Sequence, residues 1–316
     1  MSKFFKHTVF LLLVLFFFAL QVKAQFDVHF SQYWDMKGYY NPSWAGQTDK
    51  LNVTGAYSMQ LLGFKRAPKS MYFGADMPFS FMDKKHGAGI LFFSEGIGLF
   101  RNQQTALQYA YKTTVGKGKL GIGVQIGSLN ISFDPANIDL GEEGDDDAFP
   151  TTTESGTAID LGAGLFYSHP KFYAGISGQH LTSPVVDLGE RSEIKISPMV
   201  YLTGGYNIRT RNPLISIQPS FQLQSDFNSM RLDLTGRLFY TYNERLFSAG
   251  ITYSPDTSVA ICIGATIRSV TVGYAYELYT SKLGVANGSH DLLVSYSTEI
   301  NLFKKSKNKH KSIRIL

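Results

Sequence analysis

The stretch T-A-I-D-L-G-A-G-L-F-Y, residues 157–167, decides the fold class because its apolar and polar side chains alternate. The apolar face consists of Ile159, Leu161, Ala163, Leu165 and Tyr167. The opposite face is small or polar and consists of Asp160, Gly162 and Gly164. Strict alternation over this length predicts a β-strand. Soluble strands usually have about five or six residues, whereas a tilted membrane strand needs about 9–11. The stretch therefore favours a strand that crosses a membrane.

The same alternation recurs along the chain, for example in V-T-V-G-Y-A-Y-E-L at 270–278 and M-R-L-D-L-T-G-R-L at 230–238. Fourteen such segments begin near residues 51, 69, 87, 101, 119, 156, 171, 195, 214, 230, 245, 258, 270 and 290. An even number of strands suits a single-chain bacterial barrel, and closure leaves no unpaired sheet edge in hydrocarbon. We predict an all-β fold, a transmembrane antiparallel β-barrel of about 14 strands. A soluble β-sandwich is the alternative.

The composition agrees with this fold class. Of the 316 residues only 17% are charged, while 14% are aromatic and 30 are glycine. Such a chain is not disordered, and its mean hydropathy of −0.07 is too low for a helical membrane protein. The single cysteine, Cys262, excludes an intrachain disulfide. The net charge of +5 comes from the two ends of the chain, so it does not indicate binding to nucleic acid.

The start of the chain has the pattern of a signal peptide. It is basic, it has an apolar run from Val9 to Leu20, and small or aliphatic residues at Val22 and Ala24 suit signal-peptidase cleavage. The apolar run is too short to span about 30 Å of hydrocarbon. The predicted parts of the chain are a signal peptide at 1–24, an aromatic segment at 25–50, a transmembrane barrel at 51–303 and a basic tail at 304–316.

Export and a barrel together predict the outer membrane of a Gram-negative cell. Barrels of this kind have short turns in the periplasm and longer loops outside. If Gln25 starts in the periplasm, an even number of strands returns the basic tail to the same side. We therefore expect both the N-terminus and the C-terminus to be periplasmic.

The aromatic segment 25–50 does not alternate and holds both tryptophans of the chain. So many aromatic side chains need burial or a binding partner. Either the segment enters the lumen as a plug or hatch, with Asn41-Pro42 at a turn that reverses it, or it lies as an arm along the periplasmic rim. The candidate plug or partner-binding residues are Asp27, His29, Phe30, Gln32, Tyr33, Trp34, Asn41, Pro42, Trp44 and Gly46.

Two motifs of this segment resemble the N-terminal signature of the PorP/SprF family. They are D-x-H-F-S-Q-Y at 27–33 and N-P-x-x-A-G at 41–46. The similarity continues through 160–167, 172–181, 273–277 and 288–296, so that it extends along essentially the whole mature chain.

The resemblance implies an outer-membrane protein of the Bacteroidetes type IX secretion system. It implies a barrel related to the FadL-type transporters and a role in the secretion or surface attachment of cargo proteins, in some relatives in gliding motility. The implied partners are outer-membrane lipid, the secreted cargo, the periplasmic ring and the other outer-membrane subunits of that machine. A FadL-like channel or transporter for small or hydrophobic substrates is the alternative function.

Several charged residues should face the lumen. The set consists of Asp160, Arg231, Asp233, Arg237 and Glu277. Because fixed charges in a low-dielectric interior must be paired or hydrated, they could line a pore or form ion pairs. The sequence does not separate a water-filled lumen from a plugged one.

No sequence motif indicates catalysis or the binding of a cofactor. The chain lacks H-E-x-x-H, G-x-S-x-G and G-x-x-x-x-G-K, so we do not expect an enzyme. An acidic loop at 139–154 includes Asp145, Asp146 and Asp147, which are weak candidates for calcium ligands. Their spacing does not match a calcium loop, and a solvated acidic loop is the simpler interpretation.

Overall fold

The computed structural model describes residues 27–135, 152–189, 192–281 and 287–299. They form a closed antiparallel β-barrel of fourteen strands, which confirms the predicted fold class. Every predicted starting position lies within four residues of the start of a barrel strand. The predicted division into signal peptide, aromatic segment, barrel and tail stays a prediction.

The strands vary in length, from 2 to 16 residues. They are β1 (Lys50–Met59), β2 (Lys69–Phe81), β3 (Lys84–Ile97), β4 (Phe100–Val115), β5 (Gly118–Phe133), β6 (Glu154–Ser168), β7 (Phe172–Gln179), β8 (Val185–Leu188), β9 (Ser192–Lys195), β10 (Met199–Tyr206), β11 (Ile208–Arg209), β12 (Ile215–Ser225), β13 (Met230–Tyr242), β14 (Arg245–Ser254), β15 (Ser258–Ile267), β16 (Val270–Tyr279) and β17 (Ser289–Glu299). Neighbours in sequence pair, β10 joins β7 to β12, and β1 pairs with β17 to close the barrel. The hairpin β8–β9 forms a separate two-stranded sheet that is not part of the wall, and β11 continues β10 along β12.

Burial follows the alternation along each barrel strand. On β4, Gln104 and Gln108 face inward and are buried, whereas Leu107 faces outward with 60% of its surface exposed. On β15, the buried Cys262 lies between two exposed isoleucines. An apolar exterior of this kind is stable when it faces lipid. None of the helices in the described part of the chain is long and apolar enough to cross a membrane.

The two ends of the barrel differ in their connections. We call the end where β1 begins the turn end and the opposite end the loop end. Connections at the turn end are 82–83, 116–117, 169–171, 207–214, 243–244 and 268–269. Connections at the loop end are 60–68, 98–99, 134–153, 180–198, 226–229, 255–257 and 280–288. Longer loops thus occur mainly at the loop end, although some connections there are as short as turns.

One turn is shorter than the sequence suggests. The region 79–85 lacks a glycine or proline pair and looks like a longer connection, but β2 and β3 continue to Phe81 and Lys84. The two residues between them, Met82 and Asp83, have φ of +48° and +57°. Positive φ at both central positions belongs to the tight turns that match the twist of paired strands.

The hairpin β8–β9 was not predicted from the sequence. It folds back onto the inner wall at the loop end, where Val186, Leu188 and Ile196 pack against Leu129 and Ile131 of β5. All five side chains are buried. The hairpin therefore narrows the lumen at that end.

Arginine in place of Leu161 should test which face of β6 meets lipid. Leu161 is 38% exposed on the outer face. We expect Leu161→Arg to lower the free energy of unfolding by about 2–4 kcal/mol if the site is near the midplane of the membrane. The measurement is heat- and denaturant-induced unfolding of the barrel in vesicles, with Leu161→Met as the matched control. Wild-type resistance in the arginine variant would show that the face is assigned wrongly.

Candidate functional site

Residues 27–49, here called the lumenal segment, lie inside the barrel. The segment consists of 3₁₀ turns at Tyr33–Asp35 and Pro42–Trp44 around a single α-helical turn at Lys37–Tyr40. Its buried apolar side chains are Val28, Phe30, Tyr33, Trp34, Met36, Tyr39, Tyr40 and Ala45. Their rings pack edge to face, as with Phe30 and Tyr39, whose centroids are 5.7 Å apart. The lumen thus contains an aromatic core of its own.

The segment crosses the lumen once, from the loop end to the turn end. At the loop end, Gln60 Nε2 donates to the carbonyl of His29 at 3.0 Å. Near the middle, the Tyr33 hydroxyl is 2.9 Å from Ser220 Oγ. At the turn end, Gln47 Nε2 donates to the carbonyl of Lys119 at 3.4 Å. The chain then enters β1.

This course corrects one expectation and bears on another. Asn41-Pro42 does not reverse the segment: Asn41 Oδ1 accepts from Ser43 N at 3.0 Å and caps a 3₁₀ turn that continues toward the turn end. The first described residue, Asp27, lies at the loop end, whereas Glu299 lies at the turn end. Both termini lie outside the described residues, so that their periplasmic location stays a prediction.

Glycines let the segment approach the wall closely. Gly46, in the segment, has φ of +63° and donates its N–H to Asp76 Oδ1 at 2.9 Å. A Cβ on Gly87 of β3 would overlap the backbone of Ala45. A Cβ on Gly123 of β5 would overlap the backbone of Ser43. Small inward-facing residues thus form the surface against which the segment packs.

Wall side chains satisfy the backbone of the segment. Gln108 Nε2 donates to the carbonyl of Gly38 at 2.7 Å, and Gln179 Nε2 donates to that of Tyr39 at 2.9 Å. Ser177 Oγ donates to the carbonyl of Tyr40 at 2.7 Å. Lys112 Nζ donates to Gln47 Oε1 at 2.8 Å. Irregular backbone inside a barrel needs such partners.

Sequence reasoning missed these wall residues. They occupy inward positions of alternating strands, so their polarity was visible, but nothing in the pattern indicated what they would bind. Asn41, one of the predicted candidate residues, bonds in the opposite direction, from the segment to the backbone of the wall. Its Nδ2 donates to the carbonyls of Leu165 at 3.0 Å and Ile176 at 3.2 Å.

A buried histidine fixes the first described residue of the segment. His180 Nε2 is 3.0 Å from Asp27 Oδ1, and His180 Nδ1 is 3.0 Å from Asp160 Oδ2. The Tyr201 hydroxyl donates to the other oxygen of Asp27. Burial disfavours charge on His180, but the two carboxylates outweigh it and raise its pKa to about 10. We call these groups the loop-end latch.

The stability of the latch should fall as the pH rises. A raised pKa means that the contribution of His180 is complete below its ordinary 6.5 and is lost as the pH approaches about 10. Between pH 6.5 and 10 we expect the free energy of unfolding to fall by up to about 1.4 kcal/mol per pH unit. Melting of wild type and His180→Gln across this range measures it, and equal slopes would contradict the assignment.

All five predicted lumenal charges lie on the inner face of the wall, and four of them belong to two clusters. Asp160 belongs to the loop-end latch. Arg231 Nε is 3.0 Å from Asp233 Oδ1, and its Nη2 is 2.7 Å from Glu277 Oε1. His29 of the segment is 3.4 Å from Asp233. We call Arg231, Asp233 and Glu277 the buried charge triad. The triad places paired charges in the lumen.

The remaining predicted residues have packing roles in the structure. The Arg237 guanidinium lies 4.4 Å from the centre of the Trp34 ring. Trp44 packs edge-on against Phe166 with centroids 5.0 Å apart. Gln32 is buried, and Pro42 occupies the first position of its 3₁₀ turn, where no N–H is needed.

The calcium candidates Asp145, Asp146 and Asp147 lie outside the described residues. Within the described ranges, no group of three or more His, Cys, Asp or Glu is placed to hold a metal ion.

A cavity of about 420 Å³ opens at the loop end above the segment. Polar and apolar residues of the segment, the wall and the hairpin β8–β9 border it. They include Asp27, His29, Glu95, Asn102, Ile97, Phe100, Ile131, Ile194 and Arg231. The cavity can hold a small ligand or a short peptide of a partner. The lumenal segment closes it on the side that faces the turn end.

Comparison with known proteins identifies a family. The family described as "Type IX secretion system membrane protein PorP/SprF" matches residues 22–296. No curated protein sequence matches the chain.

Solved structures that resemble the chain are distant. BamA from Haemophilus ducreyi lacking POTRA domains 1–3 is 8% identical, with 78% of this chain and 70% of that chain covered and a TM-score of 0.45. The outer membrane protein Omp33 of Acinetobacter baumannii is 6% identical, with coverages of 81% and 100% and a TM-score of 0.45. CdiB from Acinetobacter baumannii is 8% identical, with coverages of 79% and 60% and a TM-score of 0.37. Similarity this low carries no information on function.

Proposed function

Because the chain belongs to the PorP/SprF family of type IX secretion system membrane proteins, we propose that it is a closed outer-membrane subunit of that machine. It supports the secretion or surface attachment of cargo proteins, gliding adhesins among them, through contacts with other subunits, including the periplasmic ring. It has no chemistry of its own. The observation that carries this proposal is the lumenal segment, which crosses the whole barrel and bonds to strands around its circumference.

The segment acts as a hatch rather than as a loose tail. Each buried aromatic side chain removes about 150–250 Å² from water, which contributes a few kcal/mol at about 25 cal/mol per Å². Spontaneous release is therefore rare. A partner that binds the released segment, or the vacated lumen, must offset this energy to open the barrel.

The proposed orientation follows from the connections. The turn end faces the periplasm, where short turns are usual, and the loop end faces outside. β17 ends at Glu299 at the turn end, so the basic tail predicted at 304–316 follows on the proposed periplasmic side. The loop-end cavity then faces the cargo.

Gentle-detergent purification from native membranes, followed by mass spectrometry, tests the proposal. We expect type IX subunits to co-purify and a deletion strain to retain cargo in the periplasm or release it unattached. An unrelated outer-membrane barrel of similar abundance, purified in the same way, is the control. Normal secretion and attachment in the deletion strain, with no subunit enriched over the control, would overturn the proposal.

The second candidate is a FadL-like channel or transporter for small or hydrophobic substrates. The loop-end cavity of about 420 Å³, whose lining includes Ile97, Phe100 and Ile131, is the observation that favours it. Steady conductance of the intact protein in planar bilayers, or swelling of liposomes that contain it, would favour this candidate over an interaction role.

A further inference from the structure

A second cavity lies at the turn end, between the lumenal segment and the wall. It has a volume of about 170 Å³ and lies beneath the turn between β6 and β7. Lys37 and Trp44 of the segment form one side. Phe166 and Tyr173 of the wall form another, and the turn contributes His169 and Lys171. None of the residues that line the cavity is acidic.

The ammonium of Lys37 lies in this cavity without an anionic partner. Its Nζ is 4.6 Å from the centre of the Trp44 ring and 5.2 Å from that of Tyr173. It makes no hydrogen bond or ion pair within the described part of the chain, and the exposed Asp35 does not pair with it. A bound anion would supply the opposite charge that this ammonium lacks.

The polar side chains of Tyr173 and Asn207 also line the cavity. A tyrosine hydroxyl and an asparagine amide can each donate a hydrogen bond. With Lys171 of the turn, the polar lining is basic or neutral, which suits an anion.

We propose that this cavity binds a carboxylate on a short aliphatic stem, the acidic side chain of a protein partner at the turn end. The half-buried Lys37 ammonium, with the neutral donors Tyr173 and Asn207 beside it, matches one carboxylate, and the aromatic walls suit its methylene groups. The cavity is bordered by the lumenal segment, so the ligand comes from solvent at the barrel mouth rather than from the lipid face.

Binding there couples to the segment. Lys37 and Trp44 leave the cavity whenever the segment leaves the lumen, whereas Phe166 and Tyr173 stay with the wall. A carboxylate therefore binds the closed barrel and stabilises it. The inference deepens the proposed function by naming the chemistry of a partner contact, and it rests on that function only for the identity of the partner.

Tryptophan fluorescence of the full-length protein tests the site. In Trp34→Phe the remaining tryptophan is Trp44, 4.6 Å from Lys37 Nζ. Glutarate serves as the probe for an acidic side chain and neutral glutaramide as its control. We expect a saturable change with glutarate, half-complete on the order of 1 mM, and none with glutaramide. Lys37→Gln in the same background should weaken the response about tenfold or more, whereas Lys85→Gln, at the exposed ion pair with Asp49, should not change it.

Each other outcome overturns the inference. Equal responses to glutarate and glutaramide, or an unchanged response in Lys37→Gln, would show that the ammonium does not bind the probe. A response to inorganic phosphate alone would make the site one for free phosphate, and a response only in vesicles with anionic lipid would assign it to a lipid headgroup. Because the lysine variant could misfold, heat-modifiable migration of the barrel is checked first, and Lys37→Arg should retain part of the response. Co-purification with machine subunits can succeed when this test fails.

Discussion

Deleting residues 27–46 should convert a barrel that conducts little into one that conducts ions steadily. The deletion removes the buried aromatic core of the lumen and leaves all fourteen barrel strands. A barrel of this size has a lumen wider than side chains alone can fill, since eight strands are just filled and sixteen leave an aqueous channel. We expect a many-fold rise in single-channel conductance in planar bilayers, with heat-modifiable migration showing that the barrel still forms.

A glycine substitution tests whether opening the hatch raises conductance when no part of the chain is deleted. A side chain on Gly123 would overlap the backbone of Ser43, so Gly123→Leu should expel the segment and raise conductance without shortening the chain. Gly236→Leu is the matched control, because a Cβ there has no neighbour within 4 Å. Equal conductance of the wild type, the deletion and Gly123→Leu would rule out a hatch.

The barrel strands could be predicted because their pattern is local. A two-residue period reports which side chains face lipid and which face the lumen, and both faces are set within a single strand. The largest error in a predicted strand start shows where the two-residue pattern is insufficient. A strand was predicted to begin near 195, but β10 begins at Met199, because Pro198 lacks an N–H and separates it from β9. Apolar alternation continues across that break, so the pattern alone could not place it.

The course of the lumenal segment could not be predicted because its contacts are remote in sequence. Ser31 N donates to Asp291 Oδ2 at 2.7 Å, 260 residues away, and Asp27 is 153 residues from His180. Aromatic composition indicated burial but not direction. Whether the segment reversed or crossed the lumen depended on wall residues such as Gln108 and Ser177, whose polarity fits either arrangement. Polar lumenal positions were visible, but their pairing required the closed barrel.

Replacing Arg231 with methionine should be among the most destabilising changes in the wall. Asp233 is fully buried and Glu277 is 3% exposed, and Arg231 contacts both at 3.0 Å and 2.7 Å. Removing the arginine leaves two buried carboxylates, with the His29 ring 3.4 Å from Asp233. Breaking a buried pair in this way costs about 3–5 kcal/mol. Denaturant-induced unfolding in vesicles measures it. Arg231→Lys should recover part of the loss, because one ammonium cannot bind both carboxylates as the guanidinium does.

The size of this effect should depend on the lumenal segment. With the segment in place, the buried charge triad is shielded from water by residues such as His29 and Ser31. In the 27–46 deletion, water enters the lumen and hydrates the carboxylates, so Arg231→Met should cost less there than in the full chain. The difference between the two costs is the coupling between hatch and triad, measured by a double-mutant cycle. Arg231→Met combined with Glu277→Gln should recover stability in the closed barrel, since one uncompensated charge is removed. An equal cost of Arg231→Met with and without the segment would mean that water already reaches the triad, and that the segment does not seal the lumen at this depth.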